Sequence, residues 1–513
     1  MLVMARRVIQ IISFAVLTCA ILLDWRIPTA LISSAETHAV YQHTQQVVHV
    51  FAQAITSPTT QRATDTTTPT ATSTATATAT STQTATPRAT ITSTPTATST
   101  PSRTVSPTAK STQVPTTTST LPPTATRITG ARVPAGMMGL VGRDPFYEVV
   151  DGKVNTRSQA TMGRIMQTLG VRWVRIDMRI PLTMSASQND IDAAISRYDY
   201  FINTVAPANN LKVLMLFSFD LIMGVDANRI AVGPYKTHPQ YGPRYNPYMT
   251  EWMSRAQRVI MRYGKNIHAI EVLNEANRLP RYTTNGPINN GIPAESWAQL
   301  VTTIYRSCNG SRLGTYCRAT PVILGGLHPR GTEAFGSVPA RTDMEYLADI
   351  YASKAFTSSY AQLKRWPLDG VGYHPYPWEL KQIGVPNQTA AFDRLRQQLV
   401  ALKDPLRPVW VTEIGYNVAY ARQTEAEQAA FLADVYRTLA TRTLPNGNRE
   451  VAVVFWFKYE DFPPESGASA QQWGLVKIPF APGPCPDSIC YRRSGEPTRY
   501  RQSWYTYRDL TLP

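Results

Sequence analysis

Histidine and cysteine are scarce in this 513-residue chain, at seven and five. The histidines are dispersed, whereas a metal-dependent hydrolase centre would need His and Asp clustered at strand ends. The cysteines show no CxxC spacing that would hold zinc. Apart from Cys19 they fall into two close pairs, Cys308 with Cys317 and Cys485 with Cys490, as expected of two small disulfide loops in an oxidising compartment. No glycine-rich nucleotide fingerprint follows the first strand-like run, which disfavours a doubly wound dinucleotide-binding sheet. Acidic residues are fewer than basic ones, 35 against 51, for a net charge of +16. The basic residues are scattered, however, and no nucleic-acid module is present, so the charge reads as a generally basic surface and nucleic acid is not an expected partner.

Long apolar runs are confined to the N-terminus, where Ile11 to Leu23 follows Arg6 and Arg7. This pattern reads residues 1–35 as a signal peptide cut after Ala35, or as a retained signal anchor that tethers the protein to a membrane. Residues 36–55 form a short segment of no assigned role. Residues 56–127 are almost entirely Thr, Ser, Ala and Pro, with too little apolar surface to offset ordering entropy, so a disordered linker is expected there. A Thr/Pro spacer behind an export signal implies an extracellular protein, secreted or tethered to the cell surface.

From 128 to 513 apolar strand-like runs alternate with amphipathic stretches, the signature of α/β architecture with a parallel sheet. Eight strands are predicted: MMGLVG (137–142), WVRIDMRI (173–180), KVLMLFSF (212–219), HAIEVLNE (268–275), PVILGGL (321–327), GVGYHPY (370–376), PVWVTEIG (408–415) and VAVVFWF (451–457). Helical patterns such as YMTEWMSRAQRVIMRYG and EAEQAAFLADVYRTLA follow them. Eight such units fit a (β/α)8 TIM barrel, expected as a monomeric catalytic domain.

A barrel of this kind places its active site at the carboxyl ends of the strands. Strand four closes on Asn274-Glu275 and strand seven on Thr412-Glu413. By alternation Glu413 shares a face with Val409 and Val411, and Glu275 shares one with Glu271 and Leu273, so both carboxylates are expected to point to the barrel mouth. Two opposed carboxylates suit glycosidic cleavage: one attacks the anomeric carbon while the other protonates the leaving oxygen.

This arrangement resembles clan A of the glycoside hydrolases, the 4/7 superfamily named for the strands bearing its glutamates, with likeness to families 5 and 39. The resemblance implies a retaining enzyme acting on β-linked oligo- or polysaccharides, with Glu275 as acid/base and Glu413 as nucleophile. It further implies that Asn274 hydrogen-bonds the sugar 2-hydroxyl, that Arg175, His374 and Tyr376 support the carboxylates, and that Trp456 lies under the sugar. No metal or organic cofactor is implied; the partner is a carbohydrate substrate. Two features depart from the family 5 pattern: Asn-Glu is followed by Ala276, not proline, and strand three ends FSFD without a histidine. Among the remaining polar candidates, Glu271 is expected to hydrogen-bond inside the barrel, with Asp177 unassigned and His328 a cleft candidate. Tyr235, Tyr241, Tyr245 and Tyr248 in the loop after strand three, with Trp378 and Trp473, are candidates for sugar platforms or for loop packing. The alternative to an enzyme is an inactive carbohydrate-binding or adhesive module on a Thr/Pro stalk.

Overall fold

The computed structural model describes residues 133–511 except 144, 146–148, 151–152, 181, 223–228, 231, 280, 284–285, 420–422, 463–470 and 480–494. The signal or anchor, the 36–55 segment, the linker and the Cys485/Cys490 pair lie outside the described residues. Among those that are described, no helix is long and apolar enough to cross a membrane.

Eight parallel strands close into a barrel: β1 (Met138–Val141), β2 (Trp173–Asp177), β3 (Lys212–Phe217), β4 (Ala269–Val272), β5 (Val322–Leu327), β6 (Gly370–Tyr373), β7 (Val409–Ile414) and β8 (Val451–Trp456). Each falls within its predicted run. β1 pairs with both β8 and β2, which completes the ring. Strand residues alternate between two apolar layers. Trp173, Leu214, Ala269, Ile323, Trp410, Val453 and Phe455 fill the barrel interior. Val174, Val213, Met215, Val409, Val411, Val454 and Trp456 belong instead to the core packed by the outer helices. With both faces buried, the strands read as near-continuous apolar runs.

The outer helices used below are α1 (Thr156–Thr168), α2 (Pro247–Tyr263), α3 (Ala294–Asn309), α4 (Asp343–Ala352), α5 (Pro377–Gln382), α6 (Gln388–Ala401) and α7 (Glu425–Ala440). All but α3 and α5 start at side-chain caps that satisfy otherwise unpaired N–H groups. Asn246 accepts from Met249 N, and Thr342 and Thr424 form capping boxes with Glu345 and Glu427. Cys308 near the end of α3 is disulfide-bonded to Cys317, as expected from their spacing.

The loop after β3 resolves the tyrosine question in favour of packing. Tyr245 OH donates to Thr303 Oγ1 on α3 at 2.6 Å, Tyr241 OH to Gln257 Oε1 on α2 at 3.3 Å, and Tyr248 OH to Phe219 O at 3.3 Å. All three are buried. Tyr235 is half-buried, with its hydroxyl on Ile230 O and the Arg244 guanidinium over its ring.

Candidate active site

The carboxyl ends of β2, β4, β6 and β7 converge on one polar cluster whose hub is Arg175. Its side chain points inward from β2 and is 4% exposed. Nε donates to Glu271 Oε2 at 2.6 Å, Nη2 to Asn274 Oδ1 at 2.7 Å and Nη1 to Glu413 Oε1 at 2.6 Å. Burial disfavours the guanidinium charge, but Glu271 and Glu413 outweigh it and hold Arg175 above its ordinary range. Glu271 is fully buried and also accepts from Gly326 N at 3.0 Å. It therefore acts as an internal counter-charge, the interior role expected of it.

Glu413 reaches the interior by a route that alternation does not describe. Val409 and Val411 lie in the outer core, so their phase would turn Glu413 toward the helices. The β7–β8 register shifts between Val411 and Ile414. This bulge turns Thr412 and Glu413 inward together, as bulges beside active sites commonly re-aim a side chain. Tyr376 OH donates to Glu413 Oε2 at 2.9 Å, so both oxygens of Glu413 are engaged.

Glu275 also depends on irregular backbone. Leu273 and Glu275 have φ of 63° and 44°, the left-handed region that costs a non-glycine residue roughly 1–3 kcal/mol. The Glu275 N–H is tied to Gly326 O at 3.0 Å. A Cβ on Gly325 would collide with Leu273 O, and one on Gly326 with His374 Nε2. The two glycines of PVILGGL thus admit the kinked end of β4 on one side and an imidazole on the other.

His374 is fully buried and uses both ring nitrogens, Nδ1 at 2.7 Å from Glu275 Oε1 and Nε2 at 2.9 Å from Thr412 Oγ1. Burial lowers its affinity for a proton, but Glu413 and Glu275 together raise it above the ordinary value. For Glu275, burial opposes the charge, while His328, His374 and Arg175 more than compensate and hold its carboxyl down at about 2. His328 is itself pushed down to about 4, chiefly by burial, so its charge acts on Glu275 only in acid, and near neutrality His374 and Arg175 keep Glu275 ionised. There the proton of the Glu275–His374 pair rests on the imidazole.

An oxygen of Glu275, an oxygen of Glu413 and a nitrogen of His374 all lie within 4.8 Å of one another. Such spacing could suit a cation, but Arg175 and Tyr376 already occupy both oxygens of Glu413, and both His374 nitrogens are engaged. The donor set is that of a charge-compensated carboxylate pair. The two acids also differ in access: the Glu275 side chain is 27% exposed and that of Glu413 12%.

The structure thus brings together six of the seven sequence-predicted residues: Arg175, Asn274, Glu275, His374, Tyr376 and Glu413. Trp456 is the correction. Its ring is fully buried in the outer core, 6.1 Å from Phe431 of α7, because its neighbours Val453 and Phe455 hold the inward phase. The aromatic wall is instead Phe457 and Trp473, whose rings stand 6.2 and 5.5 Å from Tyr376. Trp473 was among the sequence candidates; Phe457 was missed, although it continues the phase of Val453 and Phe455.

Asp177 pairs with Arg179 at 3.0 Å, and Trp378, 53% exposed, opens α5 at the rim. Sequence reasoning also missed Glu379 on α5. Its Oε2 lies 3.8 Å from His328 Nε2 and 3.6 Å from Arg330 Nη1, and burial pushes its carboxyl up. The only signal for it is a carboxylate placed just beyond HPYPW.

No family model and no curated protein matches the chain. Among solved structures it is similar to aphid myrosinase (12% identity, TM-score 0.45, covering 74% of this chain and 99% of that one). It is also similar to the endo-β-1,4-mannanase of Thermotoga petrophila (12%, TM-score 0.41, 73% and 76%). A rice β-glucosidase gives 12% identity and a TM-score of 0.47 over 74% and 99% of the two chains. At these identities and TM-scores the likeness decides nothing about chemistry, which rests on the atoms of the site itself.

Proposed function

We propose that the protein is a retaining glycoside hydrolase that cleaves β-linked oligo- or polysaccharides by double displacement. The carrying observation is the approach of Glu275 and Glu413 to within 4.8 Å between oxygens. That is the short side of the two known arrangements, since about 5–5.5 Å between carboxyls suits a covalent intermediate and about 6.5–9.5 Å leaves room for a water.

Glu413, fixed by Arg175 and Tyr376, attacks the anomeric carbon. Glu275, the more exposed carboxyl, delivers a proton to the leaving oxygen. His374 supplies that proton across its 2.7 Å contact; once neutral, it donates through Nε2 to Thr412 Oγ1. When the nucleophile has become an ester its charge is gone, and Glu275, now a carboxylate, takes a proton from the attacking water. Asn274 Oδ1 accepts from Arg175, which leaves its NH2 to donate to a sugar hydroxyl, while Phe457 and Trp473 offer apolar faces to the pyranose. The same reading places the protein outside the cell, secreted or surface-tethered, and the Cys308–Cys317 disulfide supports it.

The test is hydrolysis of aryl β-glycosides and of β-glucan, xylan, mannan and galactan by the full chain, beside Glu275→Gln and Glu413→Gln. Turnover of at least one substrate that is lost in both variants is expected. Turnover surviving both substitutions removes the site assignment, and glycan binding without turnover identifies a binding module instead.

A further inference from the structure

The opposite mouth of the barrel holds a cavity of about 640 Å³, the size of ordinary small-ligand sites. Arg172 immediately precedes β2, Lys212 opens β3 and Arg449 lies two residues before β8, so three cations from the amino-terminal strand ends line one space. No carboxylate lines it, and among the described residues none of the three has an acidic partner. All three are exposed, so water screens part of their mutual repulsion, and a bound anion removes the rest. The cavity is also not purely polar. Beneath it the rings of Trp173 and Trp410, 8% and 5% exposed, meet edge to face at 5.3 Å, with Lys212 Nζ 5.2 Å from the Trp173 ring. Asn448 adds an amide at the rim.

We propose that this mouth is a second carbohydrate site, specific for an acidic sugar of the uronate type. The carboxylate would sit among Arg172, Lys212 and Arg449, the pyranose over the exposed edges of the two indoles, and the hydroxyls at Asn448. A bare inorganic anion makes no use of the aromatic floor, and a neutral sugar makes no use of the cations. This site lies at the far end of the barrel from Glu275 and Glu413 and does not depend on hydrolysis there.

The experiment is calorimetric titration of the full-length protein with trigalacturonate and with a glucuronate-bearing trisaccharide, using cellotriose and inorganic phosphate as controls. At least one acidic trisaccharide is expected to bind, more weakly as salt rises, with neither control competing at equal concentration. The triple variant Arg172→Gln/Lys212→Gln/Arg449→Gln should bind about tenfold or more weakly, the order expected for loss of charge-assisted hydrogen bonds. Lys212→Arg should keep its affinity. If the triple variant does not fold, the three single substitutions decide, each expected to weaken binding. Unchanged affinity in the charge-neutralised proteins, displacement by phosphate, equal binding of cellotriose, or no binding of either acidic trisaccharide overturns the proposal.

Discussion

His374 Nδ1 stands 2.7 Å from Glu275 Oε1 with the imidazole fully buried behind it, so the proton of the pair sits where water cannot reach it from the histidine side. The high proton affinity of His374 and the low one of Glu275 are two views of one shared proton. Replacing His374 with Gln leaves Glu275 to hold that proton alone, as an ordinary carboxylic acid. The alkaline limb of kcat/KM against pH, set in the native protein by a group titrating above about 6.5, should therefore move to lower pH in the variant. An unmoved limb would remove His374 from the proton path.

The unequal roles proposed for the two glutamates predict unequal responses to the leaving group. A dinitrophenolate departs without protonation, whereas a sugar alkoxide does not. Glu275→Gln should lose about 10²–10⁴-fold on polysaccharide or alkyl glycosides while still releasing a burst of dinitrophenol. Glu413→Gln should release none. Burst kinetics with dinitrophenyl and methyl glycosides of the preferred sugar check this; equal losses for both leaving groups in Glu275→Gln would contradict the assignment.

Arg175 and Glu271 form a buried pair, 4% and 0% exposed. Removing Glu271 leaves Arg175 its second counter-charge, Glu413, but breaks the charge-assisted bonds from Nε and Nη2 and leaves the Gly326 N–H without its acceptor, a cost of about 1–3 kcal/mol. Glu271→Ala is accordingly expected to lower unfolding stability by that order in urea titration and to weaken activity as well, because Arg175 then positions Glu413 less firmly. A loss below about 1 kcal/mol would mean that water takes the place of Glu271.

His328 binds protons more weakly in the folded protein, at about 4, than in the unfolded chain, at about 6.5. Between those values the unfolded state holds more protons, so folding stability falls as pH drops from 6.5 toward 4, by up to about 3 kcal/mol from this group. The native Glu275, depressed in the fold, keeps its contribution above about 4.5 and sheds it only below that. In His328→Gln the loss between pH 6.5 and 4.5 should flatten, as measured by denaturant midpoints across that range. A parallel slope in variant and wild type would assign the loss to other groups.

The barrel was legible in the sequence because strands buried on both faces write themselves as apolar runs, and the two glutamates were legible because each ends such a run. The same property hid the phase. In VAVVFWF every position is apolar, so nothing distinguishes the inward Phe455 and Phe457 from the outward Trp456, and the larger ring drew the wrong assignment. Glu413 was placed correctly although alternation with Val409 and Val411 points the other way, since a bulge leaves no mark in composition. Glu379 left only the faint mark of a carboxylate after HPYPW, because its place beside His328 and Arg330 is made by bringing α5 to the loop after β5.

Gly325 and Gly326 leave β5 without side chains where it passes the Glu275 carboxyl. One neighbour of Glu275 is therefore bare peptide, which accepts its N–H through Gly326 O, and a single methyl at either position is already too large. The loops above the barrel can change length and composition as substrates change, but this stretch cannot drift with them. Descendants of this chain that keep the Glu275 geometry must keep the two glycines, whatever the loops above come to bind.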